Sequence, residues 1–285
     1  MNILKHENPA GSESTYPGDE IVFSRARRGV KPRLPPEAQS ASSQVVEWKR
    51  HIGENSYEGV SRDYAVYPVG QDLGKPLGLI VFQDGRFYTD DKFRAPQVLE
   101  ALVAAGSMPP VVAVFVQPGD APGAPPQSQA NRSIEYDTLS DTYVTFLIEE
   151  LLPEALDGFV VSQDPDDRLI CGMSSGGLCA FNAAWERPDC FGKVISHCGS
   201  YTNIRGGNLY PSRVRSSRLR PMRVFLQSGA GDLDRERGNW PAANFDLASA
   251  LAFKGYDYRF EFGQGGHDLR HGAAIFAATL RWMWR

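Results

Sequence analysis

Five consecutive residues near the middle of the chain have the spacing of a serine nucleophile. The stretch Gly172-Met173-Ser174-Ser175-Gly176 follows a short apolar run and precedes a segment with helical spacing. This Gly-x-Ser-x-Gly pattern predicts a sharp strand-to-helix turn that holds the Ser174 hydroxyl clear of the backbone. Glycines suit such a turn because a Cβ atom would clash there. A serine beside a helix N-terminus favours nucleophilic catalysis, and an ordinary Gly/Ser turn is the alternative.

A serine nucleophile needs a base, and His267 is the first choice. It follows the glycine-rich stretch 263–266, between a predicted strand and a predicted helix. Open α/β sheets carry their working side chains on loops of this kind, at the carboxyl ends of strands. His197 lies inside a predicted strand near the serine and is the second candidate.

The base in turn needs a carboxylate that orients it. Asp232 is the first choice because it follows the predicted strand 223–227 through a short Gly-rich loop, and Asp234 remains open. The order Ser174, Asp232, His267 along the chain is the order found in α/β-hydrolases. An aspartate that caps the next turn is the structural alternative.

An acyl-transfer reaction also needs two N–H groups directed at the developing oxyanion. The N–H of Ser175 is one candidate, because it follows the nucleophile at the start of the predicted helix. The N–H of Arg86 is the other, because Asp84-Gly85-Arg86 follows the first buried strand. An ordinary Asp-Gly turn is the alternative for this loop.

Further side chains on predicted loops are candidates for contact with a substrate. These are Phe87, Tyr88, Arg132, Tyr201 and Trp240. Arg132 could instead form a structural ion pair with Glu135. The arginine-rich segment 205–223 could attract an anionic ester if it overhangs the site, and a solvated basic loop is the alternative.

The alternative interpretation of the region around His267 is a metal site. His267 and His271 are four residues apart and could share one helical face. No third ligand stands at a suitable spacing, so neither a metal nor another cofactor is expected.

The elements that must position these residues alternate between strand and helix. Besides the strand and helix that flank Ser174, the sequence predicts a hairpin and several strands at 44–52, 61–69, 77–83, 111–116, 193–198, 223–227 and 256–262. Predicted helices span 93–105, 137–157, 242–253 and 269–284, the second of them capped by Asp137 or Thr138. This alternation predicts an α/β fold with a mostly parallel central sheet, an antiparallel N-terminal hairpin and helices on both faces.

Composition sets the remaining limits. The chain has 285 residues and a formal net charge of −4, which gives no reason to expect nucleic acid or a membrane as partner. Residues 1–43 are rich in Gly, Ser and Pro and are predicted to form a disordered or surface-draped arm, and residues 44–285 are predicted to form a single catalytic domain.

The four cysteines fall in one region without a C-x-x-C pair and are expected to be buried thiols. Together with the polar N-terminus, this favours the cytoplasm. Oligomeric state is left open.

Several motifs together give the chain a family resemblance. They are Val81-Phe82-Gln83-Asp84-Gly85, Asn131-Arg132-Ser133-Ile134-Glu135-Tyr136-Asp137, the stretch around Ser174, Cys198-Gly199-Ser200-Tyr201 and Gly265-Gly266-His267. From about residue 45 onward the chain resembles the enterochelin esterase and esterase D branch of the α/β-hydrolases, and it is similar to feruloyl esterases of carbohydrate esterase family 1. The resemblance implies a lightly lidded serine esterase with the triad and oxyanion donors named above. The short N-terminal arm and Thr202-Asn203-Ile204, where relatives often carry tryptophans, depart from the siderophore esterases.

The expected function is therefore hydrolysis of a small or medium carboxylic ester through an acyl-enzyme. An acyl sugar, a feruloyl-type ester and a siderophore-like ester are the open substrate classes. The first alternative is an acyltransferase that passes the acyl group to an alcohol or a sugar. A non-catalytic binding protein of the same fold is the second.

Overall fold

The computed structural model describes residues 20–23, 35–39, 46–70, 74–125 and 128–285. Its strands are β1 Glu20–Phe23, β2 Trp48–Ile52, β3 Ser61–Val69, β4 Gly78–Gln83, β5 Val111–Val116, β6 Arg168–Met173, β7 Lys193–His197, β8 Arg223–Gly231, β9 Asp234–Arg235, β10 Gly238–Asn239 and β11 Tyr258–Gly266. One nine-stranded sheet has the order β1, β11, β8, β7, β6, β4, β5, β3, β2, and β9 pairs with β10 apart from it.

The sheet is parallel from β1 across to β5 and antiparallel where β3 and β2 complete it. The wholly apolar sequences of β4 and β5 explain their central place, because a parallel strand is covered by helices on both faces. Leu79 and Val81 of β4 face one core, whereas Ile80 and Phe82 face the other. The predicted mostly parallel sheet with its antiparallel hairpin is confirmed.

Helices cover both faces of this sheet, as predicted. They are α1 Pro36–Gln39, α2 Gly85–Thr89, α3 Ala95–Ala104, α4 Gln129–Asp137, α5 Thr142–Phe146, α6 Leu152–Ala155, α7 Ser175–Glu186, α8 Tyr210–Ser216, α9 Trp240–Lys254 and α10 Arg270–Met283, with a π-helical turn at Leu147–Leu151 between α5 and α6. Side chains of α5, α6, α7 and α9 fill the core on one face, and those of α1, α3 and α10 fill the other.

The segment before the π-helical turn differs from the predicted helix 137–157. Asp137 is the last residue of α4, a helix that was not predicted, and the next helix begins only at Thr142. The Asp137 carboxylate does not cap that helix, because it accepts hydrogen bonds from Ser133 Oγ and Ser175 Oγ. A second helix that was not predicted, α8, lies inside the arginine-rich segment.

Two parts of the predicted N-terminal arm fall within the described residues. Glu20–Phe23 pairs in parallel with β11, and Ala38 of α1 is fully buried against the second core. The rest of residues 1–43 lies outside the described ranges, so the predicted arm stays a prediction. In the described part of the chain, every helix is too short or too polar to cross a bilayer.

The carboxyl ends of the parallel strands lie at one edge of the sheet, and the three predicted catalytic residues lie at this edge. Ser174 follows β6, Asp232 follows β8 and His267 follows β11. Because β6, β7, β8 and β11 are successive neighbours, these three residues come together although they are far apart in the chain.

Candidate active site

The turn between β6 and α7 is strained in the way that the glycine spacing predicts. Ser174 has φ 59° and ψ −122°, a conformation that costs a non-glycine residue about 1–3 kcal/mol. A Cβ atom on Gly172 would lie 2.2 Å from the carbonyl oxygen of Gly176, so a side chain there would force the turn open. The Ser174 N–H donates to the carbonyl oxygen of His197 at 2.9 Å, which ties the turn to β7.

Ser174, His267 and Asp232 form one hydrogen-bonded chain. His267 Nε2 lies 2.8 Å from Ser174 Oγ, and His267 Nδ1 lies 2.6 Å from Asp232 Oδ1. The His267 side chain is 19% exposed, whereas the Asp232 carboxylate is fully buried. With the proton on Nδ1, the Nε2 lone pair faces the serine hydroxyl, which is the arrangement that a general base requires.

Asp232 is held by further donors, and Asp234 is not part of the chain. The N–H of Leu233 donates to Asp232 Oδ1 at 2.7 Å, and Ser228 Oγ donates to Oδ2 at 3.0 Å. Asp234 is exposed in the small β9–β10 pair. Of the two aspartates left open by the sequence, the structure brings Asp232 to the histidine.

The alternative histidines are buried behind the site. His197 is fully buried with Nδ1 3.0 Å from Tyr88 Oη, and burial, followed by the neighbouring His271, lowers the pKa of His197 to about 3. His271 lies with Nδ1 3.0 Å from Gln227 Nε2, and burial lowers its pKa to about 4. His271 therefore does not join His267 in a two-histidine metal site in the described part of the chain.

The two predicted oxyanion donors differ in their surroundings. Ser175 is the first residue of α7, where a helix leaves its backbone N–H groups without intrahelical acceptors. The Arg86 N–H already has a protein acceptor. With the Gln117 amide turned so that its donors and acceptors match its neighbours, Gln117 Oε1 accepts from Arg86 N at 2.7 Å and from Gly85 N at 3.0 Å.

The alternative interpretation of Arg132, a structural ion pair with Glu135, is wrong in its partner, and its contact with a substrate stays a prediction. Its guanidinium forms a two-point ion pair with Asp84, and it does not pair with Glu135. Glu135 instead forms a fully buried ion pair with Arg62 of β3. A buried cation needs a partner, and each arginine takes the carboxylate that its own position offers.

Tyr88 and Tyr201 are core residues, which corrects a second part of the prediction. The Tyr88 ring is fully buried against Phe93, and its hydroxyl contacts His197. Tyr201 is 1% exposed and donates to Ser196 Oγ at 2.9 Å. A phenol can be buried where a partner meets its hydroxyl, and both rings have such a partner inside the fold.

Trp240 is the predicted aromatic side chain that contacts the catalytic candidates. Its ring stands edge-on to His267, with centroids 5.8 Å apart, and its Nε1 donates to Ser200 Oγ at 3.2 Å. Ser200 Oγ also lies 3.2 Å from Ser174 Oγ. Phe87 is 56% exposed on α2, and its contact with a substrate stays a prediction.

Several side chains of the arginine-rich segment pack on the rest of the domain. Arg220 stacks on Trp185, Arg215 stacks on Phe253, and Arg223 pairs with Asp257. These contacts explain three of its six arginines as packing of α8 and its flanks on the rest of the domain.

Three residues near the site were not predicted to belong to it. Ser200 and Asp137 lie in two of the motifs that carry the family resemblance, so those motifs could have pointed to both residues. Gln117 lies in a predicted loop rich in polar residues, and nothing in its surroundings along the chain distinguishes it.

Residues 57–283 match the family Esterase, whose description reads "Putative esterase". The chain belongs to the Esterase family. Among curated members it is 27% identical over 270 residues to the iron(III) enterobactin esterase of Dickeya dadantii, covering 88% of this chain and 56% of that protein. It is also 27% identical over 166 residues to the iron(III) enterobactin esterase of Escherichia coli K12, covering 58% of this chain and 38% of that protein. This Esterase family chain thus spans about half, or less, of the length of these relatives.

The fold of the chain is also similar to the folds of solved esterase structures. The enterochelin esterase of Shigella flexneri superposes with a TM-score of 0.71 at 22% identity, covering 89% of this chain and 62% of that chain. A ferulic acid esterase superposes with a TM-score of 0.67 at 18% identity, covering 85% and 98%. The expected α/β-hydrolase fold, and the resemblance of this Esterase family chain to the enterochelin esterase branch, are confirmed.

Proposed function

We propose that the chain is a serine esterase that hydrolyses a carboxylic ester through an acyl-enzyme. The observation that carries this proposal is the hydrogen-bonded chain from Ser174 through His267 to Asp232 at the carboxyl edge of the sheet. Membership in the Esterase family supports it independently.

The geometry suits a two-step reaction. Ser174 Oγ attacks the ester carbonyl carbon while His267 Nε2 takes the hydroxyl proton and then gives it to the leaving alcohol. Asp232 keeps His267 in the required tautomer and stabilises the imidazolium. Water, deprotonated by the same nitrogen, then hydrolyses the acyl-enzyme and releases the acid. No cofactor takes part in these steps.

The tetrahedral intermediates need donors for their negative oxygen. The Ser175 N–H is the first proposed donor, because it lies at the helix N-terminus beside the nucleophile. The Arg86 N–H is the second. It becomes available when the oxyanion replaces the Gln117 carbonyl that it now binds.

The substrate class is proposed from the relatives and from the wall beside the base. Two relatives are enterobactin esterases, and one structural neighbour is a ferulic acid esterase. The Trp240 ring, edge-on to His267, offers an aromatic surface next to the reacting atoms. We therefore place the substrate among small or medium esters of the feruloyl, acyl-sugar or siderophore-like type.

A fluorophosphonate probe and a panel of esters test the proposal. The wild-type chain should be labelled at Ser174, and Ser174→Ala should lose labelling and turnover of a p-nitrophenyl ester. Ser212→Ala, which removes an exposed serine of α8, is the matched control and should keep both. Turnover by Ser174→Ala at the wild-type rate would refute the assignment.

The panel separates hydrolysis from acyl transfer. Feruloyl, acetyl-sugar, short acyl and catecholate-lactone esters are each incubated with and without an acceptor alcohol. Free acid as the main product in both cases supports the esterase, and preferential formation of a new ester identifies an acyltransferase.

A further inference from the structure

A thiol lies directly beside the proposed triad. Cys198 follows β7, is fully buried, and has a φ of 47°, a left-handed conformation that is unusual outside glycine. Its N–H donates to the carbonyl oxygen of Gln227 at 2.6 Å, which fixes the backbone in this conformation. The strained backbone is thus held next to the loops that carry Asp232 and His267.

The sulfur, the carboxylate and the imidazole form one group of potential metal ligands. One ligand atom from each of Cys198, Asp232 and His267 lies within 4.8 Å of the other two. Donors around one tetrahedral Zn²⁺ stand about 3.4–3.8 Å apart, as Zn–N and Zn–O bonds near 2.1 Å and Zn–S bonds near 2.3 Å require. Fitting an ion therefore needs His267 Nδ1 and Asp232 Oδ1, now 2.6 Å apart, to separate by about 1 Å, and the sulfur to approach by up to about 1 Å.

The loop that would move is suited to such a shift. His267 is the least buried of the three side chains, and it follows Gly265 and Gly266 at the irregular end of β11. Asp232 is already oriented by Ser228 and the Leu233 N–H, as supporting hydrogen bonds orient the ligands of metal sites.

Oxygen atoms surround the Cys198 sulfur. Gln227 Oε1 lies 3.7 Å from Sγ, the Gly266 carbonyl oxygen 3.8 Å and the Asp268 carbonyl oxygen 4.0 Å. A bound divalent cation would replace the thiol proton and interact favourably with these oxygen atoms.

We propose that Cys198, Asp232 and His267 form an inhibitory site for a thiophilic divalent cation such as Zn²⁺. The cation binds Sγ, a carboxylate oxygen of Asp232 and His267 Nδ1. The thiol proton leaves to solvent, and the imidazole proton moves from Nδ1 to Nε2, where it blocks the lone pair that would accept the serine proton. The hydrogen bond between His267 and Asp232 is lost, and the imidazole is held away from its role as base. Inhibition rests on the proposed esterase mechanism, whereas binding of the cation does not.

Activity and binding are measured separately on the full chain. Zn²⁺ should abolish turnover of a p-nitrophenyl ester by the wild-type protein, and EDTA should restore it. Cys198→Ser, compared with its own metal-free rate, should need at least tenfold more Zn²⁺ for half inhibition. Cys190→Ser is the matched control, because Cys190 is another buried thiol but contacts Arg187 and Asp189 on the surface. It should keep the wild-type sensitivity.

A spectroscopic readout makes the test independent of catalysis and of the variant's folding. Cd²⁺ added to the wild-type protein should give a thiolate-to-metal charge-transfer band with one equivalent bound, and Cys198→Ala should lack it. Equal Zn²⁺ sensitivity of wild type and Cys198→Ser, or a wild-type protein without the Cd²⁺ band, would overturn the proposal. Failure of the esterase assignment would appear elsewhere, as activity in Ser174→Ala.

Discussion

The Arg132 guanidinium binds both carboxylate oxygens of Asp84, with Nε 2.9 Å from Oδ1 and Nη2 2.6 Å from Oδ2. Asp84 has left-handed backbone angles, φ 54° and ψ 46°, and its Oδ2 lies 2.9 Å from the position that a Cβ on Gly176 would occupy. The ion pair therefore connects α4 with the loop before Arg86 and with the turn that carries the nucleophile. We interpret Arg132 as a positioning residue for the oxyanion site.

Replacing Arg132 by glutamine should slow catalysis more than it weakens substrate binding. Loss of one oxyanion donor lowers rates by about 10²- to 10³-fold, and a displaced loop should cause a decrease of about that size in kcat with little change in KM. The unpaired Asp84 should also lower the free energy of unfolding by about 3 kcal/mol, because it stays buried without its partner. Steady-state kinetics and urea unfolding measure the two effects.

Conservative and surface variants provide the comparison. Arg132→Lys keeps the charge but not the two-point geometry and should be intermediate in kcat. Arg187→Gln breaks the more exposed pair with Asp189 and should change the unfolding free energy by about 1 kcal/mol at most. Wild-type kcat in folded Arg132→Gln would contradict the positioning role.

The catalytic candidates were predictable because their signals are local. Gly172 and Gly176 report the strained turn around Ser174, and the carboxyl ends of parallel strands must meet at one edge. A residue just after a predicted strand is thereby placed in three dimensions without knowledge of its contacts. For this reason the sequence led to the Ser174, His267 and Asp232 cluster that the structure contains.

Side-chain direction on the loops was not predictable in the same way. Tyr88 is on the short helix α2 and Tyr201 is the last residue of the motif that begins at Cys198, and both were predicted to contact a substrate. Whether a phenol turns inward depends on a partner from another part of the chain, here His197 for Tyr88. The ion pair of Arg132 was not predictable for the same reason, since its partner Asp84 lies 48 residues earlier.

Asp137 should make the stability of the protein depend on pH. Its Oδ2 accepts from Ser133 and Ser175, Oδ1 is buried without a hydrogen-bond partner in the described part of the chain, and burial raises the pKa of the carboxyl. The folded chain then holds this proton more tightly than the unfolded chain, whose aspartates titrate near about 3.9. The favourable contribution is full below that pH and is lost as the pH rises through the folded pKa.

Asp137→Asn should therefore gain stability relative to wild type as the pH increases. Urea unfolding of both proteins at several values between about pH 4 and pH 7 gives the difference. Asp234→Asn, which removes an exposed carboxylate beside the site, controls for the change in net charge. A wild-type advantage that grows with pH would contradict the raised pKa.

Gln117 should compete with the oxyanion for the Arg86 N–H. Gln117→Ala removes the carbonyl that now accepts this hydrogen bond, and a single hydrogen bond contributes about 0.5–1.5 kcal/mol. We therefore expect kcat/KM for a small activated ester to rise by about two- to tenfold. Gln163→Ala, which alters an exposed glutamine far along the chain, should leave the value unchanged. A large decrease in Gln117→Ala would mean that Gln117 holds the loop in place and does not compete with substrate.

Two buried imidazoles should make the protein less stable in mild acid. Burial lowers the pKa of His197 to about 3 and that of His271 to about 4. An unfolded histidine titrates near about 6.5, so below that pH the unfolded chain takes up protons that the folded chain refuses. The free energy of unfolding therefore falls as the pH decreases from about 6.5 toward 4.

His271→Gln isolates one of these contributions, because glutamine can still accept a hydrogen bond from Gln227. A pKa of about 4 for His271 corresponds to a contribution on the order of 3 kcal/mol across this interval. The unfolding free energy of His271→Gln should thus decline less steeply with acid than that of wild type, by up to this amount. NMR titration of the His271 ring in the folded wild type checks the cause directly. Parallel stability curves, or a ring that titrates near pH 6.5, would contradict a neutral buried imidazole.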